Sequence, residues 1–74
     1  MGVDYSSDLR KNEAGRLCLT VRFRDGDPIR AMMSAAKMNC ETKPAVIGRV
    51  ELVFDADVQE NEVRASLARF AAYD

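Results

Sequence analysis

The stretch that decides the fold is residues 16–24, with the sequence RLCLTVRFR. Apolar and polar side chains alternate strictly along it. The apolar set is Leu17, Leu19, Val21 and Phe23, and the polar set is Arg16, Cys18, Thr20, Arg22 and Arg24. Because successive side chains of a strand point to opposite faces, this alternation predicts a β-strand with one buried and one open face. Gly15 before it and the DGDP sequence at 25–28 after it are typical of turns and bound the strand.

The residues before this stretch predict a hairpin partner for it. Positions 3–10 alternate between a more apolar and a more polar set, which are Val3, Tyr5, Ser7 and Leu9 against Asp4, Ser6, Asp8 and Arg10. Asn12 followed by Gly15 suits a type I turn closed by a left-handed glycine, a common hairpin connection. A short helix over residues 7–14, capped by Gly15, is the alternative that the sequence leaves open.

Two helices and a third strand follow along the chain. Asp27 suits a helix N-cap and Pro28 suits the first helical position. Helical spacing then continues through Ile29, Met32, Met33 and Ala36. Thr-Lys-Pro at 42–44 predicts a break, and residues 46–54 alternate as a third strand. The second helix begins with acidic capping residues near Asp57 and presents an apolar stripe made of Val63, Leu67, Phe70 and Ala71.

The predicted order is ββαβα, which forms a two-layer α+β sandwich within a single domain of residues 1–74. A right-handed crossover through the first helix places the third strand parallel to the second. With the first strand between them, the sheet is mixed, has three strands in the order 2-1-3 and carries both helices on one face. Such a sheet leaves a bare edge, and a homodimer with a continuous six-stranded sheet is one way to cover it.

An internal resemblance runs through the chain at a nearly constant offset. The GRL sequence at 15–17 resembles GRV at 48–50, an offset of 33 residues, and IRA at 29–31 resembles VRA at 63–65, an offset of 34. Two strand–helix units of similar build explain this spacing. Chance among residues that favour strands and helices is the alternative, and both explanations give the same architecture.

Composition narrows the classes of function. The formal net charge of -1 gives no global basic excess for nucleic acid, and no apolar run is long enough to span a membrane. The chain contains no histidine, the commonest general base and metal ligand, and no glycine-rich phosphate loop. We therefore expect no enzyme, no cofactor, no metal site and no membrane partner.

The two cysteines bear on the compartment and on covalent chemistry. Cys18 and Cys40 are too few for a disulfide framework, and no charged-then-apolar leader opens the chain. Reduced thiols in a cytoplasmic protein are therefore expected. Cys18, which we expect on the open face of the sheet, is the least implausible nucleophile if the chain were an enzyme.

The open face of the predicted sheet carries the functional expectation. Five arginines fall on it, and the candidate partner-binding residues are Arg10, Arg16, Arg22, Arg24 and Arg49. Guanidinium groups bind carboxylates or phosphates through two parallel hydrogen bonds, so this face suits an acidic protein or a nucleic acid. Phe23 and Phe54 are predicted to point inward, which leaves no aromatic side chain there for base stacking.

We expect a small regulatory module without catalysis, of inhibitor or adaptor type. It would dock on a protein partner through this basic face or through the exposed strand edge. The alternative is a nucleic-acid-binding domain in which the same arginines contact phosphates. A solvated face, with cross-strand charge pairs such as Arg22 with Glu51 or Asp8, is the explanation that requires no function.

Overall fold

The computed structural model describes residues 3–72, which form one antiparallel sheet and two helices. The strands are β1 (Arg10–Lys11), β2 (Leu17–Arg22), β3 (Cys40–Pro44) and β4 (Arg49–Phe54), and the helices are α1 (Phe23–Ala35) and α2 (Glu60–Ala72). The sheet order is β1-β2-β4-β3. The predicted α+β class with two helices is confirmed, whereas the predicted three-stranded mixed sheet is wrong, because the sheet has four strands and all neighbours are antiparallel.

The hydrophobic core lies between one face of the sheet and the two helices. Leu17, Leu19 and Val21 of β2 are buried, as their alternation predicts. They share one cluster with residues of β4, α1 and α2, which are Leu52, Phe54, Ile29, Met33, Val63 and Leu67. Both helices therefore cover the same face of the sheet, and β2 and β4 form its centre.

Strand β3 corrects the predicted topology. The Thr-Lys-Pro segment at 42–44, expected as a break, lies inside this strand and pairs with β4 through Thr42 and Leu52. Because β4 also pairs with β2, it lies between β2 and β3, so the predicted 2-1-3 order is wrong. The sequence pattern hides β3 because every residue after Cys40 is exposed, and the strand lacks the apolar alternation of a half-buried one.

The amino-terminal residues adopt neither of the two predicted structures over their whole length. A 3₁₀ turn spans Ser6–Asp8, and only Arg10–Lys11 pairs with β2. The reason is tertiary, since the Tyr5 ring is only 2% exposed and its hydroxyl donates a hydrogen bond to Asp25 Oδ2 over 2.5 Å. The chain leaves the sheet to bury this ring against α1 and α2, where it lies near Phe70.

Helix α1 begins at Phe23, earlier than the predicted N-cap Asp27, and Pro28 therefore lies inside the helix. Gly26 permits this early start. It is buried, and a Cβ atom there would lie 3.0 Å from Val50 Cγ2, so the first turn of the helix sits directly against β4. The predicted inward position of Phe23 is wrong, because the residue starts α1 with its side chain exposed.

The two halves of the chain form similar ββα units. Each has a hairpin turn with a glycine in the left-handed region, Gly15 at φ +78° and Gly48 at φ +85°, so the turn predicted at Gly15 is present. β2 and β4 have six residues each, and both helices have 13. Leu19 pairs directly with Leu52, its equivalent at the sequence offset of 33. An approximate twofold axis therefore passes between these two leucines.

Tyr5→Phe tests how firmly the amino-terminal residues are held against α1. The substitution removes a hydrogen bond to a carboxylate, so we expect the free energy of unfolding to fall by about 1.5–3 kcal/mol at neutral pH. Burial, followed by the hydrogen bond to Asp25, raises the pKa of Tyr5 above its ordinary value. A raised pKa in the folded state means that stability is lost as the pH rises through it, so the difference between the two proteins should shrink above about pH 10.

Urea unfolding followed by circular dichroism, at neutral and at alkaline pH, measures both effects. If the two proteins lose stability equally above about pH 10, Tyr5 ionises as readily in the folded chain as in the unfolded one. That result would contradict the burial of the Tyr5 hydroxyl beside Asp25.

Candidate partner-binding site

The strand register defines the face of the sheet opposite the helices, which we call the open face. Directly opposite residues of an antiparallel pair point to the same side of a sheet. Three rows of side chains therefore cross the open face, and they are Arg10, Cys18, Val53 and Glu41, then Thr20, Glu51 and Lys43, then Arg22 and Arg49. Beyond the row of Cys18 and Val53, the same register places Arg16 opposite Asp55. This pair lies at the end of the open face that is opposite to Arg22.

The charged side chains on the half of the open face with Arg10 and Arg16 form ion pairs with each other. Arg16 Nη2 lies 3.4 Å from Asp55 and 3.9 Å from Glu41. Arg10 Nη2 lies 3.9 Å from Glu51. These side chains are partly exposed, so each pair contributes little to stability by itself. Their effect on this half of the face is that its charges are already neutralised.

The two central residues of the first row are buried, whereas Arg10 and Glu41 at its ends are exposed. Cys18 is 1% exposed and Val53 is 2% exposed, although neither belongs to the core cluster on the helix side of the sheet. Arg10 stands directly opposite Cys18. Long charged side chains in such positions can cover apolar surface with their aliphatic parts. The predicted face of Cys18 is therefore right, but its predicted exposure is wrong.

The other half of the open face ends in a pair of like charges. Arg22 of β2 stands directly opposite Arg49 of β4, and both are exposed. Among residues 3–72, neither arginine forms an ion pair. Like charges directly opposite each other destabilise a sheet. The approximate twofold axis relates this pair to Arg16 and Asp55, whose charges attract, so the two ββα units differ in charge at this point.

Arg22 also lowers the stability of the fold through its position at the start of α1. It is the N-cap residue of α1 and makes no side-chain capping hydrogen bond. Serine, threonine, aspartate and asparagine are preferred at N-caps, and a cation there faces the positive end of the helix dipole. Two local rules are thus broken at one residue, which is expected where a side chain serves binding more than stability.

Exposed apolar side chains lie beside this arginine pair. Phe23 is 72% exposed, Val46 is 70% exposed and Ile47 is fully exposed. The N–H of Phe23 donates to the carbonyl of Gly48 over 2.9 Å, which holds the start of α1 against the β3–β4 turn. We call this surface the basic-apolar end, and its members are Arg22, Phe23, Val46, Ile47 and Arg49.

The five predicted arginines do not form one cluster. Arg10 and Arg16 lie on the open face but are in ion pairs. Arg24 lies in the first turn of α1 and not on the sheet, because the helix begins one residue before it. Only Arg22 and Arg49 are both on the face and free of ion pairs among residues 3–72.

The sequence pattern does not identify the apolar members of the basic-apolar end as exposed. Phe23 continues the alternation of β2 and is therefore assigned to the core, while Val46 and Ile47 are assigned to a strand. One signal was available, because Val46 and Ile47 directly precede Gly48, and two large apolar residues next to a turn glycine are unusual where turns are mostly polar.

The other candidate sites among residues 3–72 give weaker support for a function. A cleft of about 240 Å³ lies beside Arg16 and Asp55, but these two charges already pair with each other. Residues 3–72 contain no group of three or more histidine, cysteine or acidic residues arranged to hold a metal ion.

Burial raises the pKa of the Cys40 thiol despite the nearby Arg30, so the thiol ionises less readily. Neither α1 nor α2 has the length and apolar character needed to cross a bilayer.

Comparisons with protein-family models, with curated proteins and with solved structures gave no match. The functional argument therefore starts from the geometry of the basic-apolar end.

Arg22→Asp tests whether Arg22 lowers the free energy of unfolding of the chain. Aspartate would face Arg49 with the opposite charge and would cap α1, so we expect the free energy of unfolding to rise by about 1–2 kcal/mol. Arg49→Glu removes the like-charge pair without changing the N-cap, and its expected gain is smaller, about 0.5 kcal/mol. Urea unfolding measures both variants, and a loss of stability in Arg22→Asp would contradict this interpretation.

Proposed function

We propose that this chain is a small non-catalytic binding module, a regulator of inhibitor or adaptor type, that docks on an acidic partner protein through its basic-apolar end. The observation that carries the proposal is the like-charged pair of Arg22 and Arg49 standing beside three exposed apolar side chains. An isolated module gains nothing from this arrangement. A partner that covers the apolar side chains and supplies carboxylates makes every part of it favourable.

The composition of the basic-apolar end matches the energetic centre of protein interfaces. Aromatic residues and arginine are enriched there, and a few such residues supply most of the binding energy. Phe23 offers a rigid aromatic anchor, and Ile47 extends the apolar surface at the tip of the turn. Carboxylates of a partner would also remove the repulsion between Arg22 and Arg49, so the binding free energy includes the relief of an unfavourable contact. A partner with acidic groups around an apolar depression fits best.

Nucleic acid is the second candidate, and the exposure of Phe23 is the observation that favours it. An exposed aromatic ring beside arginines can stack on a base while guanidinium groups contact phosphates. Val46 and Ile47, however, offer no ring for stacking. Arg10 and Arg16 on the same open face are already in ion pairs, so they add little attraction for phosphates. These features favour a protein partner.

Photo-crosslinking from position 47 tests the proposed surface. Ile47 is fully exposed, so replacing it with benzoylphenylalanine should leave the fold intact. In a lysate of the organism that encodes the chain, we expect a discrete protein adduct from this position. Ala68, an exposed residue of α2, is the matched control site and should give no adduct.

A pair of charge-matched variants separates the basic-apolar end from general charge effects. Arg22→Gln with Arg49→Gln should abolish the adduct at position 47. Lys11→Gln with Lys37→Asn removes the same charge at exposed sites elsewhere and should preserve it. Equal crosslinking from positions 47 and 68 would contradict the proposal. An adduct that nuclease removes, and whose yield falls steeply with salt, would replace the protein partner with nucleic acid.

A further inference from the structure

The outer edge of β3 has a defined set of backbone groups. The N–H of Asp55 donates to the carbonyl of Asn39 over 3.1 Å, which makes this opposite pair a hydrogen-bonded one. Hydrogen-bonded pairs alternate along an antiparallel ladder, so the odd-numbered residues of β3 direct their backbone groups towards β4. The bond from Phe23 to Gly48 on the other side of β4 gives the same alternation independently. The even-numbered residues of β3 therefore direct their backbone groups away from the sheet.

The outward groups of β3 are available for another strand. They are the N–H and carbonyl groups of Cys40 and Thr42 and the carbonyl group of Pro44. Proline is tolerated at position 44 because its missing N–H would point away from β4, where edge strands accept proline. Within residues 3–72, no strand pairs with this edge.

The side chains of β3 are complementary to a second copy of the same strand. Antiparallel pairing about a twofold axis at Thr42 places Glu41 directly opposite Lys43 of the second copy, and this happens twice. Opposite charges in this position stabilise a strand pair. The same register forms two backbone hydrogen bonds between the Thr42 residues and one from each Cys40 N–H to the Pro44 carbonyl of the second copy. A lysine alone would discourage edge pairing, but Glu41 supplies its complement. The side chain of Glu41 is 60% exposed beside Arg16, at 3.9 Å, so it can also face a lysine of the second copy.

We propose that β3 pairs with β3 of a second copy in this register, which joins two four-stranded sheets into one of eight strands. The six-stranded sheet expected from sequence becomes eight-stranded because β3 itself forms the edge. The paired segment is short, so the dimer is weak, with a Kd between about 1 µM and about 1 mM.

The dimer has a consequence for docking, which rests on the proposed function, whereas the pairing itself does not. Each basic-apolar end begins just beyond Pro44, and the twofold axis sends the two ends in opposite directions. The two Pro44 residues lie about 14 Å apart along the strands, at about 3.4 Å per residue. The dimer therefore presents two docking surfaces at opposite edges and is bivalent.

Charge reversal tests the register. Glu41→Lys and Lys43→Glu each place like charges opposite each other in a homodimer, so we expect each variant alone to dimerise about tenfold more weakly or worse. Mixed in equal amounts, one copy carries two lysines and the other two glutamates, and we expect a heterodimer with nearly wild-type affinity. Sedimentation velocity from about 10 µM to about 1 mM measures the wild-type protein, each variant alone and the mixture, without any partner.

Thr42→Pro tests the backbone contacts. β4 does not use the N–H of Thr42, and Pro44 already occupies an equivalent outward position, so the monomer should keep its circular dichroism spectrum and melting temperature while dimerisation is lost. Thr42→Val retains the N–H and should preserve the dimer. The proposal is overturned by a wild-type protein that stays monomeric throughout this range, by dimers of Thr42→Pro, or by a mixture of the two charge variants that stays monomeric.

Discussion

The antiparallel pairing of β2 with β4 about Leu19 and Leu52 is the constraint on which the rest of the structure depends. Both side chains are fully buried and directly opposite each other. Because each strand is followed by a helix, this pairing sends both helices to the same face and leaves β1 and β3 outside as edges. Burial of fully enclosed leucines stabilises a domain by about 1.5–3 kcal/mol each, which is a large share for a chain of this size.

The two ββα units are alike in their cores and unlike where the central strands end. A connection of five residues, 55–59, separates β4 from α2, whereas α1 follows β2 without any connection. The direct junction makes Arg22 both the last residue of a strand and the N-cap of a helix. It also places Phe23 at the start of α1, where the ring cannot reach the core. The absence of a loop therefore explains why charge and apolar surface collect at one end of the sheet.

The basic-apolar end and the β3 edge are neighbours, since Pro44 ends the strand and the turn with Val46 and Ile47 follows. A small domain buries a smaller fraction of its surface than a large one, about 60% at this size, so its core is thin. Contacts with a partner and with a second copy would both add buried surface. A bivalent assembly built in this way would combine two weak interactions into a stronger one.

The sequence by itself determined the features that depend on neighbours along the chain. The alternation of Leu17, Leu19 and Val21 specified β2 and its buried face, and Gly15 specified the hairpin turn that needs a positive φ. Helical spacing specified the buried faces of both helices, except that Ala36 is exposed at the C-cap of α1. Gly26 and the contact with β4 moved the start of α1. These predictions hold because periodicity and turn chemistry act over a few residues.

Only the tertiary structure decided the position of β3, the burial of Tyr5 and Cys18, and the composition of the candidate site. β3 is held by backbone hydrogen bonds, which exposed polar residues form as well as apolar ones, so no side-chain pattern marks it. The site joins residues 22–23 to residues 46–49 across the register of β2 and β4, which no local pattern contains. Arginine content was therefore visible in the sequence, but which arginines lack a counter-charge among residues 3–72 depended on side chains brought together from distant strands.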